Sequence, residues 1–274
     1  MAGRAKDVVR KLERAGESEQ VGWLGRIGLV AKGISFGLVG VLAILVALGV
    51  GGQPTDREGA LRVLSQEPYG LVALLALAVG FASYAAWRFA QAFLDRDDEG
   101  TDAKGAAKRL GCVGKGVLYS SFALLAVSLV TGPRGESESE PERTARVFEL
   151  PFGRWLVGAV GVGIVGYGLW NGYRSASGSY RNHMKTWEMN TPARWWLNVV
   201  GAAGHGARML LFCLIGAFLV KAAYQVDPKE AVGLDGALAR LAQQPYGPWL
   251  LGLAALGLLA YGAYSLAQAR YRDV

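Results

Sequence analysis

The stretch RIGLVAKG, Arg26 to Gly33, decides the fold because it returns twice, as RLGCVGKG from Arg109 to Gly116 and as VVGAAGHG from Val199 to Gly206. Each copy sets a glycine (Gly28, Gly111, Gly201) four residues before a basic or titratable side chain (Lys32, Lys115, His205). Another glycine (Gly33, Gly116, Gly206) and a long apolar run follow. Recurrence of this kind marks three internal repeats.

Working outward, each apolar run is followed by a second shared motif: EPYG at Glu67 to Gly70, LPFG at Leu150 to Gly153 and QPYG at Gln244 to Gly247. Proline lacks the N–H that a first helical turn leaves unpaired, so Pro68, Pro151 and Pro245 are expected to start helices two, four and six. Sixteen residues on stand Tyr84, Tyr167 and Tyr261, and three further Trp87, Trp170 and Tyr264. The distance from signature to proline is 36 residues in the first two repeats and 40, counted from His205, in the third. Before each proline, ALRVL (60–64), ARVFEL (145–150) and ALARLA (237–242) read as short interfacial helices.

With 52% hydrophobic and 19% charged residues, the charges gather between six apolar stretches: Ile34 to Val50, Leu71 to Trp87, Gly116 to Gly132, Trp155 to Tyr173, Met209 to Val220 and Tyr246 to Ala269. Most approach the roughly 20 residues a helix needs to cross a bilayer. The fifth is too short alone, so its helix is expected to begin near Val199 and to carry His205 and Arg208 to membrane depth. The expected fold is all-α: six transmembrane helices as three parallel two-helix repeats, closed into a pseudo-threefold bundle. The segmentation is a cytoplasmic N-terminal segment at 1–22, repeat 1 at 23–95, an acidic linker at 96–105, repeat 2 at 106–189 and repeat 3 at 190–274. Residues Met1 to Gln20 suit a short amphipathic surface helix rather than a signal peptide. Of 29 basic residues, 20 fall on the side of both termini, so both termini are expected to face the cytoplasm.

The motifs Gly-x-x-(Ala/Gly)-(Lys/His)-Gly, Pro-(Tyr/Phe)-Gly, and GFASYAAW, GIVGYGLW or GLLAYGAY resemble the bacterial membrane family built on domain of unknown function 1206. The resemblance covers nearly everything after Trp23 and implies three tandem two-helix units in the bacterial inner membrane, without a reaction or ligand.

Depth pairs the polar positions. At about 1.5 Å per residue, Lys32 and Tyr84 lie at similar depth, as do Lys115 with Tyr167 and His205 with Tyr261. These residues, with Arg208, are the candidate site for an anion or an anionic lipid headgroup on the cytoplasmic half; snorkelling lysines and an aromatic belt are the plainer reading. The glycines of helix four, including Gly158, Gly161, Gly163, Gly166 and Gly168, read as packing positions.

Cys112 and Cys213 lack metal or disulfide spacing, His183 and His205 lie far apart, and neither haem nor zinc is expected: no cofactor and no metal. DRDDEG, Asp95 to Gly100, has calcium-loop spacing but Ala106 at the twelfth position, and reads as an acidic linker. The basic loop from Arg174 to Arg194, with Tyr180, His183 and Trp187, suits a cytoplasmic connector that reaches lipid headgroups. Topology accounts for the positive charge, so nucleic acid is not an expected partner; the bilayer is. No carboxylate lies in a span, so the chain is not expected to be an enzyme. The expectation is a non-enzymatic multi-pass protein that interacts with lipids or partners, or alternatively a small channel or carrier for an anionic solute.

Overall fold

The computed structural model describes residues 2–94, 102–132, 140–182 and 184–272. The DRDDEG segment and His183 lie outside them, so the calcium-loop reading and the histidine of the basic loop are not addressed. Long helices α1 (Ala2–Ala47), α3 (Gly70–Leu94), α4 (Ala103–Thr131), α6 (Gly153–Ser177), α7 (Thr191–Gln225) and α9 (Gly247–Tyr271) alternate with short ones at every second connection. These are α2 (Arg57–Leu64), α5 (Glu140–Phe148) and α8 (Leu234–Ala242). The six long helices carry apolar spans of 25 to 35 residues, enough to cross a membrane.

Three local expectations change. Residues 2–20 continue α1 instead of forming a separate surface helix. Helix α7 begins at Thr191, eight residues before Val199, because the Asn190 side chain accepts from Ala193 N at 3.0 Å and Pro192 suits the first turn. The prolines of the Pro-(Tyr/Phe)-Gly motif sit in the turn, and the glycine opens the helix. Gly70, Gly153 and Gly247 each donate a backbone bond three residues back, to Glu67, Leu150 and Gln244, at 2.7 to 2.9 Å. A Cβ at any of them would collide with a carbonyl of the preceding short helix, Leu64, Val147 or Ala242. The motif is thus a corner that folds each short helix back onto the next span.

The spans pack as a ring. The most extensive contacts run between repeats, α3 with α4, α6 with α7 and α9 with α1, and the last of these closes the bundle. Small residues permit that approach: a Cβ on Gly33 would stand 2.9 Å from Gly262 O, and one on Gly216 2.6 Å from Gly161 O. Within repeats the pattern breaks. Helices α1 and α3 pack together, as do α7 and α9, but α4 and α6 meet at isolated points at most. The expected pseudo-threefold arrangement is present, with the hairpin of repeat 2 splayed.

Candidate functional site

The signature register in repeat 3 differs from the sequence reading. A Cβ on Gly28 would lie 2.5 Å from Tyr84 Cα, and its counterpart in α7 is Gly204, whose Cβ would lie 2.7 Å from Tyr261 Cα. Three residues further along, Ala31 meets Gly80 and Ala207 meets Gly257. The residue following Ala31 is Lys32; the residue following Ala207 is Arg208. The threefold cations are therefore Lys32, Lys115 and Arg208, and His205 stands one turn away. With Arg208 the spacing to the proline becomes 37 residues, in line with 36 in the other repeats, which removes the discrepancy of 40.

Each of these cations is followed four residues later by an aromatic ring, Phe36, Tyr119 or Phe212. One helical turn puts that ring on the face of its cation, towards the preceding repeat. Phe36 packs on Tyr261 with centroids 4.7 Å apart, Tyr119 on Tyr84 at 4.4 Å, and Phe212 on Tyr167 at 5.2 Å. The cations follow the same rule. Lys32 Nζ donates to the Tyr261 hydroxyl at 2.8 Å, and Arg208 Nη2 donates to the Tyr167 hydroxyl at 3.0 Å. By this logic Lys115 would reach Tyr84. That hydroxyl instead accepts from Arg88 Nη2 at 2.6 Å, within α3, while Arg88 Nη1 holds Gln91 at 2.7 Å. Lys115 makes no side-chain hydrogen bond among the described residues and lies within Coulombic range of both Tyr84 and Tyr167.

A fifth cation closes the centre from the other end. Arg57, at the start of α2, donates to the Tyr119 hydroxyl at 3.1 Å and lies 4.0 Å over the Phe36 ring. Arg208 lies over the same ring at 5.7 Å and over Tyr261 at 4.2 Å. Below Arg57, burial pushes the Asp56 carboxyl above its ordinary range even though the carboxylate accepts from Gly59 N at 2.9 Å. Lys32 and Arg208 are 7% and 8% exposed, and the Nε atoms of Arg88 and Arg208 are buried without a hydrogen-bond partner. No Asp or Glu occurs in any of the six spans.

The structure thus gathers Lys32, Lys115, Arg208, Tyr84, Tyr167 and Tyr261 about one centre, with His205 at its edge. The His205 ring meets Tyr261 edge-on at 5.4 Å, as the depth pairing expected, stacks on Tyr180 at 5.5 Å and meets Tyr264 edge-on at 4.9 Å. Its Nδ1 lies 2.8 Å from the Gly201 carbonyl, which only accepts, so Nδ1 carries the proton. His205 pins the loop between α6 and α7. Tyr180, expected at headgroups, is buried there: it donates to Asn198 O at 3.1 Å, and its own carbonyl accepts from Tyr264 at 2.7 Å. Burial also raises its phenol above the ordinary range. Trp187 is exposed, and a pocket of about 290 Å³ in the same region is lined by Arg181, Thr186 and Arg194 among others.

Sequence reasoning missed Arg57, Arg88 and the three rings. The rings were legible: an aromatic four residues after each cation would have identified Arg208 as the partner of the lysines. Arg88 is four residues after Tyr84, but Asn171 and Ser265 hold that place in the other repeats. Nothing local marks Arg57, whose role exists because α2 folds over the end of the bundle.

The family described as Domain of Unknown Function (DUF1206) matches three times, over residues 27–95, 110–178 and 203–272. The chain belongs to this family. In the DUF1206 matches the sixth residue from each start is Lys32, Lys115 and Arg208, the register the packing gives. An uncharacterised Bacillus subtilis (strain 168) protein, YxxB, is 36% identical over 250 residues, covering 91% of this DUF1206 chain and 90% of the relative. No solved structure matches.

Proposed function

We propose that this protein is a non-enzymatic component of the bacterial cytoplasmic membrane, both termini cytoplasmic, that binds an anionic group of a lipid or solute at its cation–tyrosine centre. The observation that carries this reading is five cations, Lys32, Arg57, Arg88, Lys115 and Arg208, about one aromatic cluster without a carboxylate in any span. Uncompensated charge costs several kcal/mol at such depth, at order of magnitude. Phenol hydroxyls offset part of that cost as dipoles; a bound phosphate or carboxylate would offset more, accepting from several donors at once. The basic bias toward the terminal side supports the orientation, and helical spans suit the inner rather than the outer bacterial membrane.

The test is a calorimetric titration of the purified protein in zwitterionic micelles with sulfate, inorganic phosphate and short-chain phosphatidylglycerol. Binding that disappears in a Lys32→Met/Arg208→Met variant of unchanged elution profile is the expected result. Absence of binding by all three ligands refutes the reading. A carrier for an anionic solute is the second reading, favoured by Arg57 and Arg208 flanking one ring from opposite ends. Sulfate flux into liposomes that falls on Arg57→Ala substitution would favour it over simple binding.

A further inference from the structure

The splayed hairpin of repeat 2 leaves one side of the cationic centre accessible in the plane of the bilayer. In repeats 1 and 3 the hairpin glycines are filled by their partner helix: Gly28 against Tyr84, Gly80 against Ala31, Gly204 against Tyr261 and Gly257 against Ala207. The repeat 2 counterparts, Gly111, Gly114 and Gly163, have nothing within 4 Å of an added Cβ. The tyrosines report the same opening. Tyr84 and Tyr261 are 1% and 4% exposed, whereas Tyr167 is 38% exposed.

Two cations at this opening have unused donors. Lys115 follows Gly111 by one helical turn and lies between Tyr84 of repeat 1 and Tyr167 at the opening, within Coulombic range of both. It lacks a side-chain hydrogen bond among the described residues. Tyr167 holds Arg208, whose Nε is buried without a partner.

We propose that the cleft between α4 and α6 is a lateral lipid site: the phosphate of an anionic phospholipid binds at Lys115, Tyr167 and Arg208, and an acyl chain lies against the open glycine faces. This rests on the anion-binding reading and names its ligand. Position selects a lipid. A ligand that arrives through hydrocarbon must bring its own apolar surface, and the walls above the cations are apolar, with Leu118 on the face of Gly111 and Val160 on the face of Gly163 both exposed. Charge selects against a second copy of this chain as the occupant. Its spans carry no carboxylate, so a copy seated in the cleft would leave Lys115 and Arg208 without a counter-charge.

The glycines also supply the test, since a bulky residue can fill the cleft while every cation is retained. Wild-type protein, Gly163→Trp, Gly111→Trp and Lys115→Gln are purified in zwitterionic detergent. Retention of phosphatidylglycerol against phosphatidylcholine is read by native mass spectrometry, and sulfate binding by calorimetry. Wild type is expected to prefer phosphatidylglycerol by at least about tenfold, the size of roughly one charge-assisted contact. Both tryptophan variants are expected to lose that preference and keep sulfate binding; Lys115→Gln is expected to lose the preference with its cleft still open. Using two tryptophan positions on opposite walls guards against one of them misfolding.

Lipid retention unchanged in both folded tryptophan variants overturns the proposal, as does sulfate binding by wild type without a lipid preference; the anion-binding reading survives either result. Conversion of an oligomer to a monomer by the tryptophans, without change in lipid retention, also overturns it and assigns the cleft to a second copy. Failure of wild type to bind either ligand defeats both readings.

Discussion

Substituting alanine at Gly80 and, separately, at Gly163 sets a closed hairpin against an open one at equivalent positions. At Gly80 the new methyl would collide with the Cβ of Ala31, which is fixed to the α1 backbone and cannot rotate away. Helices α1 and α3 would have to separate by about 1.5 Å to restore ordinary methyl contact near 3.5–4 Å. Overpacking of this kind costs about 1–3 kcal/mol. Alanine also gains about 0.5–1 kcal/mol over glycine in a helix interior. That gain is common to both sites and cancels in the comparison, so Gly80→Ala should be less stable than Gly163→Ala by about 1–3 kcal/mol. Gly163→Ala alone should be neutral or stabilising, because nothing lies within 4 Å of its Cβ. Gly257→Ala, which meets Ala207, should follow Gly80→Ala. The assay is reversible unfolding of the detergent-solubilised protein by titrated SDS, followed by tryptophan fluorescence. Equal loss at Gly80 and Gly163 would refute the open hairpin, and no loss at Gly80 would refute the close approach of α1 and α3.

Tyr261→Phe removes the acceptor of Lys32 and should destabilise by about 1–3 kcal/mol, the cost of leaving a buried donor unpaired; an unchanged SDS midpoint would count against the bond. Gly247→Ala should disrupt the corner between α8 and α9, where a Cβ meets the Ala242 carbonyl, and lower the melting temperature, whereas Gly252→Ala, with one ordinary contact at 3.9 Å, should not. The two connecting-loop acids should respond to pH with opposite signs. Burial raises Asp56 above its ordinary value of 3.8, so its contribution favours the folded state at low pH and is lost as pH rises through the folded value. Asp56→Asn, which keeps an N-cap acceptor, should therefore stabilise at pH 7 with a benefit that shrinks as pH falls towards 4. Lys221 and Arg240 hydrogen-bond Glu230 and lower it from 4.5, so its contribution is present at neutral pH and is lost on acidification. Glu230→Gln should thus weaken the fold slightly at pH 7 and not at pH 3; melting curves of both variants across this range check the pair.

What the sequence determined by itself was the repeat, the number of spans and the short helices between them. These follow from local causes: apolar run length against bilayer thickness, and a corner glycine that recurs because each short helix presses a carbonyl on it. It also named two of the three cations that converge, Lys32 and Lys115, and all three tyrosines, since helical rise converts spacing into depth. For the third it took the neighbouring His205 as the counterpart of the lysines. His205 and Arg208 both follow a glycine in α7, and choosing between them depends on which glycine faces Tyr261, a property of two helices in contact. The recruitment of Arg57 and the pairing of Tyr84 with Arg88 instead of Lys115 were likewise decided by packing. So was the opening of one hairpin of the three, although all three carry the same glycines. A glycine permits close approach; whether a neighbouring helix takes up that permission depends on the whole ring, and so the cleft exists only in the tertiary structure.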